Sequence, residues 1–481
     1  MIMENLKEKT INGLAWGATN ALLTQLMSAL FGIFLARMLS PADYGLVGML
    51  AIFSAIAGSL QESGFTAALT NLKQVTHRDY NAVFWFSTGV SVTLYAILFF
   101  SAPLIARFFG HPELTVLSRV VFLAFVGGGI GIAHAAYMFR NMMNREKTIV
   151  GTVALVGSNA IGLTLAYNGF AYWSLAWQQL SYIVIVDCGR LWYVKWRPTL
   201  DVDFAPIRRM FGFSSKILLT NIINQLNSNI LSFFFGKLFS AAAVGSYTQA
   251  AKWNQMGHSL ISSTIQQVAQ PVLASINDEA GRQLNVFRKM LRFTAFLSMP
   301  AMLGLALIAD FFVLLLGNQW ADSIPLLRIL CLSGAFMPIV ALYQNLFISH
   351  GRSDVYMWCT AAQVITQTAV ILIFIAWDIR TMVTIYTLML ILWVVVWQVM
   401  AYREMRLPFI DVAKDILPFL LAAAVSVGVA YAVALPVGNI YVSTAVRIVV
   451  TALLYVAIMK VSKARIFSEC MDFVLRHQPF K

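Results

Sequence analysis

What most constrains this chain is that a run of mostly apolar residues long enough to cross a bilayer recurs fourteen times, with short polar turns between. A helix rises about 1.5 Å per residue, so about 20 residues cover a hydrocarbon core about 30 Å thick. That ruler places spans at 12–37, 44–69, 81–105, 115–138, 149–168, 171–194, 212–236, 244–268, 290–316, 324–348, 356–376, 379–402, 415–434 and 440–462. The fifth and sixth spans are split only by the turn at Asn168-Gly169, and the eleventh and twelfth by Trp377-Asp378-Ile379. In lipid the backbone must satisfy its own hydrogen bonds, so the expected fold is all-α. With 59% of 481 residues hydrophobic and 11% charged, a soluble domain could not bury the apolar surface. The charged start, Met1 to Thr10, runs into a full-length apolar segment without a small-residue cleavage site, which reads as a retained first helix and not a signal peptide.

Charge sets the orientation. With the N-terminus in the cytoplasm, 24 Lys and Arg residues fall in inside segments and five in outside loops (Arg37, Arg107, Arg119, Lys237 and Arg380). Cationic loops stay cytoplasmic, so both termini are expected there. The net charge of +13 is thereby accounted for without a nucleic-acid partner.

A shift of 200 residues lays the first two spans on the seventh and eighth. Gln25 then meets Gln225, Ser28 meets Ser228, Ser40 meets Ser240, Ala42 meets Ala242, Gly45 meets Gly245 and Ser59-Leu60 meets Ser259-Leu260. Six spans separate the copies, so they share one orientation and form a parallel repeat. The expected organisation is a six-helix lobe at 1–200, a second at 205–405, a two-helix appendage at 411–462 and a cytoplasmic tail at 463–481. The tail mixes Phe467, Met471 and Val474 with Glu469 and Asp472, a pattern suited to a membrane surface.

Polar residues in so apolar a chain are the candidates for function. In the eighth span Thr248, Lys252, Gln255, Ser259, Ser263, Gln266 and Gln270 recur at i, i+3/i+4 and share one helix face. In the seventh, Asn221, Asn224, Gln225, Ser228 and Ser232 do the same; in the first, the equivalent face keeps Thr24, Gln25 and Ser28. Interhelical hydrogen bonding explains the sparser face of the first two spans. Seven polar positions along one membrane-length face suggest instead a hydrated lumen. Lys252, inside the span, suits an anionic ligand such as a phosphate. Arg328 near an outer helix end is a second candidate for the lumen. Glu62 and Asp187 are the carboxylates available to a coupling ion, although Asp187 and Arg190, at i and i+3, could simply pair. Gly127-Gly128-Gly129 with Gly131 suits close helix packing. Nucleotide-binding, zinc-protease and serine-hydrolase motifs are absent, and the four cysteines (Cys188, Cys331, Cys359, Cys470) have neither metal-ligand nor disulfide-framework spacing. No catalytic residue, metal or cofactor is expected.

The stretch Leu35-Ala36-Arg37-Met38-Leu39-Ser40-Pro41-Ala42-Asp43-Tyr44-Gly45-Leu46 resembles the first-to-second-helix signature of the polysaccharide transporter (Wzx-type flippase) family of the multidrug/oligosaccharidyl-lipid/polysaccharide (MOP) exporter superfamily. Asp79-Tyr80-Asn81-Ala82-Val83-Phe84-Trp85 and Val244-Gly245-Ser246-Tyr247-Thr248-Gln249-Ala250-Ala251-Lys252 are similar to members near the colanic-acid exporter branch. The resemblance implies fourteen helices in two lobes around a cationic lumen. It also implies alternating access that moves an undecaprenyl-diphosphate-linked oligosaccharide across the bacterial cytoplasmic (inner) membrane, driven by an H+ or Na+ gradient. The implied partners are the lipid-linked oligosaccharide, membrane lipids, and the polysaccharide polymerase and chain-length machinery. A lipid II flippase and a MATE-type antiporter are alternatives from the same superfamily. A membrane-embedded polymerase or glycosyltransferase is a more distant one, weakened by the short loops, and a non-transporting scaffold would not need the polar face.

Overall fold

The computed structural model describes residues 23–62, 64–72, 74–276, 280–464 and 466–469. The charged start and the first half of the first span therefore lie outside the described residues, as does the tail from 470. Among the described residues the regular elements are helices: α1 (Leu23–Met38), α2 (Pro41–Glu62), α3 (Phe65–Asn71), α4 (His77–Phe109), α5 (Leu114–Arg140), α6 (Asn144–Tyr167), α7 (Trp173–Tyr193), α8 (Ala205–Leu238), α9 (Ala241–Ser275), α10 (Ala280–Leu307), α11 (Ala309–Leu316), α12 (Ser323–Gly334), α13 (Met337–Ser349), α14 (Ser353–Ile373), α15 (Ile379–Met405), α16 (Phe409–Ala434) and α17 (Ile440–Val461), with a short 3-10 turn at Asn318–Trp320. Among the described residues ten segments are long and apolar enough to cross a membrane, counting α12 and α13 as one, so the chain is a multi-pass membrane protein. The helices α7, α8 and α9 are long enough but too polar to join that set, and the described part of α1 is a shorter apolar helix.

Three expected spans are broken: the ninth at Ile308, between α10 and α11, and the second and tenth for local reasons. The second divides into α2 and α3 around Gly64, whose φ of 69° lies in the left-handed region that favours glycine. The tenth divides into α12 and α13, where Pro338, in the first turn of α13, has no backbone N–H to continue the ladder of α12. The ninth begins ten residues earlier than expected, at 280, because Gly281 to Lys289 form a polar helical entry ahead of the apolar stretch.

By packing, the described residues fall into two compact units that divide between Gly245 and Ser246. In the first, α5 is the central helix. Its glycines let three neighbours approach: Gln61 of α2 at Gly128, Ser91 of α4 at Gly129, and Ile183 and Asp187 of α7 at Gly127 and Gly131. In the second, α10 carries α16 and α12 on its flanks, and α17 packs on α16. Arg288 of α10 donates to Asp415 at 2.7 Å and to Asp411 at 3.0 Å, fastening α16. Ile466 is buried, Phe467 meets Phe296 edge-on and Glu469 pairs with Lys289, so the described start of the tail rests on α10.

The start of α2 shows why its signature has the residues it does. Ser40 caps the helix: Asp43 N–H donates to Ser40 Oγ, while Asp43 Oδ2 accepts from Ser40 N at 2.9 Å. Pro41 fits the first helical turn, where its missing N–H costs nothing. The start of α9 repeats part of this arrangement, with Ala243 N–H donating to Ser240 Oγ. The two starts also meet reciprocally. A Cβ on Gly45 would overlap the Ala241 carbonyl, and a Cβ on Gly245 would overlap the Pro41 carbonyl. Position 45 thus meets 241, and position 245 meets 41.

Candidate functional site

Along α9 one side is packed and the other is open. Trp253 lies 4.9 Å from Phe312 of α11, Gly257 abuts Met302 and Leu305 of α10, and Asn254 abuts Gly334 of α12. Ile265, Ala269 and Leu273 continue the buried side. The seven expected site residues lie off that packing. Gln255, Gln266 and Gln270 are exposed, and Thr248, Lys252, Ser259 and Ser263 are half-buried. Ser259 and Ser263 donate to their own helix, at Met256 O (3.2 Å) and Leu260 O (3.1 Å), which leaves their oxygen lone pairs outward. Lys252 lies eleven residues into α9, about 16 Å along its axis, and has no carboxylate partner among the described residues. This side of α9 is a polar stripe with one cation, exposed at Gln255, Gln266 and Gln270 and half-buried at the other four positions.

The other expected residues are distributed. On α8, Asn221, Asn224 and Gln225 are half-buried, and the Gln225 carbonyl accepts from Asn229 at 2.9 Å. Gln25 is half-buried on α1, and Glu62 is exposed at the end of α2. Asp187 is buried and takes Arg190 at 3.1 Å, the i, i+3 pairing, while its second oxygen is buried without a partner beside the glycines of α5. Arg328 donates to both oxygens of Asp310 at 2.7 Å, and Asp310 also receives Arg447 at 3.2 Å. The charge of Arg328 is therefore balanced within its own unit, unlike that of Lys252.

Two features escaped the sequence reading. The first is a cavity of about 610 Å³ between α10 and α17, lined by side chains such as Phe296, Leu297, Leu305 and Ile448, with Arg447 as its one charged wall. Arg447 Nε is buried without a partner. Nothing in the pattern of two greasy helices distinguishes a cavity from a filled contact. The second is the hold on the segment joining α7 to α8. Asn81 donates to Asp201 O at 2.6 Å and accepts from Thr199 N at 2.9 Å, and Trp85 donates to Thr199 O at 2.7 Å. Trp196 donates to His77 Nδ1 at 3.0 Å and packs among Tyr80, Phe84 and His134. Asp79 caps α4 through Thr76 and takes Arg209 at 2.6 Å. The conspicuous run Asp79 to Trp85 is thus a clamp on the connector. The signal was the run's density of polar and aromatic residues, with no hint of their target.

A family model described as "Polysaccharide biosynthesis protein" matches residues 34–325, more than half of the chain. The lipopolysaccharide biosynthesis protein WzxC of Escherichia coli (strain K12) is 24% identical over 73% of this chain and 72% of its own length. The teichuronic acid biosynthesis protein TuaB of Bacillus subtilis (strain 168) is 22% identical over 74% of each. Among solved structures, the lipid II flippase MurJ in an inward closed conformation matches 92% of this chain and 98% of its own with a TM-score of 0.76 at 13% identity. An inward-facing multidrug resistance MATE transporter of the MOP superfamily covers 80% of this chain and 94% of its own, with a TM-score of 0.65 at 15% identity. Those two likenesses show a shared fold.

Proposed function

Because the chain belongs to the polysaccharide biosynthesis protein family, and with it to the polysaccharide flippases of the MOP superfamily, we propose that it carries a lipid-diphosphate-linked oligosaccharide across the bacterial cytoplasmic membrane by alternating access. The observation that carries this reading is the α9 stripe. Polar side chains facing lipid are costly, so a membrane-length row of them, exposed or half-buried, is consistent with water and a polar cargo. Hydroxyls and amides hydrogen-bond sugars without demanding one sugar, and the unneutralised Lys252 suits a phosphate. The cavity beside α17 has apolar walls that suit the isoprenoid chain of such a cargo.

Fourteen crossings in two parallel six-helix lobes (1–200 and 205–405), with 411–462 appended and both termini cytoplasmic, complete the proposal. The reciprocal Gly45 and Gly245 contacts support the repeat, and the excess of cationic inside loops supports the orientation. The cycle runs on an H+ or Na+ gradient with no bound cofactor, and the product passes to the polymerase and chain-length machinery. The lipid II reading draws on a fold likeness at 13% identity, which speaks for the fold alone.

Deletion of the gene tests the proposal. A lipid-linked oligosaccharide should accumulate in the cytoplasmic leaflet and disappear on complementation. Unchanged surface glycan with no accumulated intermediate would reject it.

A further inference from the structure

The first turns of α8 carry more charge and more exposed apolar surface than the connector clamp uses. Ahead of the expected span at 212–236 stand Arg208, Arg209, Met210 and Phe211. Arg208 and Arg209 are exposed, and so are Phe204 and Phe211, at 51% and 55%. Leu200 and Val202, just upstream, are exposed as well. Aromatic and aliphatic side chains set beside cations suit the boundary between headgroups and acyl chains and not bulk water.

Two recesses flank this turn, both within the first unit. On one side a cavity of about 510 Å³ opens between α8 and α4, walled by Phe86, Phe204, Ile207 and Phe211, with Arg208 beside them. Gly212 keeps part of it open, since an added Cβ there would meet nothing within 4 Å. On the other side a cavity of about 480 Å³ holds Arg78 and Arg209 with Asp79 and Asp203. Consecutive helix positions point about 100° apart, so Arg208 and Arg209 set the two recesses around one turn of helix.

The carboxylates of the polar recess are already engaged. Asp79 accepts from the Thr76 N–H and hydroxyl, each at 2.8 Å, and from Arg209 at 2.6 Å. Asp203 accepts from the Ala205 N–H at 2.8 Å, at the start of α8. A guanidinium has five N–H groups, so Arg209 keeps donors beyond the one turned to Asp79. Arg78 and Arg208 form no ion pair among the described residues. Forked cationic donors suit a phosphate, and an apolar recess suits hydrocarbon. A water-soluble anion needs only the first, and a neutral lipid only the second.

We propose that the head of α8 binds an anionic phospholipid, its phosphate against Arg208, with Arg78 and Arg209 adding to the local field, and an acyl chain in the recess beside Phe86 and Phe211. On the orientation proposed above, the lipid comes from the cytoplasmic leaflet, where basic groups at the inner ends of membrane helices meet anionic headgroups. The choice of leaflet alone rests on the proposed function.

The test uses the full chain, stripped of lipid in a non-ionic detergent, and native mass spectrometry with dioleoylphosphatidylglycerol or dioleoylphosphatidylcholine. The first should bind at least about fivefold more tightly, the order expected for one basic contact. Arg208→Gln should remove that preference, and Arg208→Lys should keep most of it. Gly212→Leu, which the open space admits without a clash, should weaken phosphatidylglycerol binding with every charge intact. Equal binding of the two lipids, or phosphatidylglycerol binding unchanged in both Arg208→Gln and Gly212→Leu, overturns the proposal. Displacement by excess glycerol 3-phosphate would leave a site for a soluble phosphate and overturns it too, as would tighter binding of undecaprenyl phosphate, which would give the site to the cargo. A diazirine-bearing phosphatidylglycerol locates the site: it should label 204–212 and the stretch around Phe86, and labelling confined to other segments overturns the assignment. None of these readouts involves transport, so the site stands or falls apart from the flippase reading.

Discussion

The connector clamp and the α9 stripe are the two polar-rich regions of an apolar chain, and they use polarity in opposite ways. At the clamp, Asn81, Trp85, Trp196 and Asp79 each meet a named partner, and the result is a segment held down. On α9, Gln255, Gln266 and Gln270 are exposed, and Lys252 has no counter-charge among the described residues. A polar group whose bonds are completed within the fold contributes to stability; one left open is available to something that comes and goes. In a membrane protein this distinction separates architecture from function better than burial does.

The comparison can be broken in order of effect. Trp196→Ala removes the indole from its aromatic cluster and leaves His77 Nδ1 without its donor. It should cost about 2–4 kcal/mol, read as a lowered unfolding temperature in detergent, and export should fall with the amount of folded protein. Asn81→Ala leaves Thr199 N–H and Asp201 C=O without partners and should cost about 2 kcal/mol by the same measurement. Lys252→Gln should do the reverse: export down at least about tenfold, with the unfolding temperature unchanged. A stability loss without a transport defect would move Lys252 into the architectural class. Single cysteines from Thr248 to Gln270 should react with a water-soluble maleimide along the stripe, whereas uniform protection from both sides would remove the lumen. The smallest effect is expected at Asp378, which caps α15. Its carboxyl accepts from the Thr381 hydroxyl at 2.6 Å and from the Thr381 and Arg380 N–H groups, and these bonds hold it below the usual carboxylate range. A depressed folded-state value means stabilisation present above the unfolded value, about 3.9, and lost as pH falls through the folded one. Asp378→Asn should therefore lower the unfolding temperature slightly at pH 7, and the difference from wild type should vanish in acid.

Much of the fold was legible because lipid enforces a single length ruler. Each expected span is mainly helical in its described part, although three are interrupted and ten segments are long and apolar enough to cross a membrane among the described residues. The breaks at Gly64 and before Pro338 depend on one residue each, which a window of about 20 residues averages away. The α9 stripe was legible because helical spacing needs no partner to be seen. Arg328 was not, since its neutraliser Asp310 sits eighteen residues upstream on another helix. Nor was the purpose of Asp79 to Trp85, whose targets lie more than a hundred positions away. Side chains that bond across the fold can be noticed in a sequence, but their partners cannot be read there.

The clamp has a consequence for how this polypeptide could be handled. Residues 199–201 are bound to α4 by side chains, and Arg209 at the head of α8 is bound to Asp79. The covalent link between Asp201 and Asp203 is therefore not what keeps the two sides of the connector together. A break there should be tolerated, and two separately synthesised fragments meeting at that point should assemble without a peptide bond between them. The molecule could be made, labelled or isotopically edited one piece at a time.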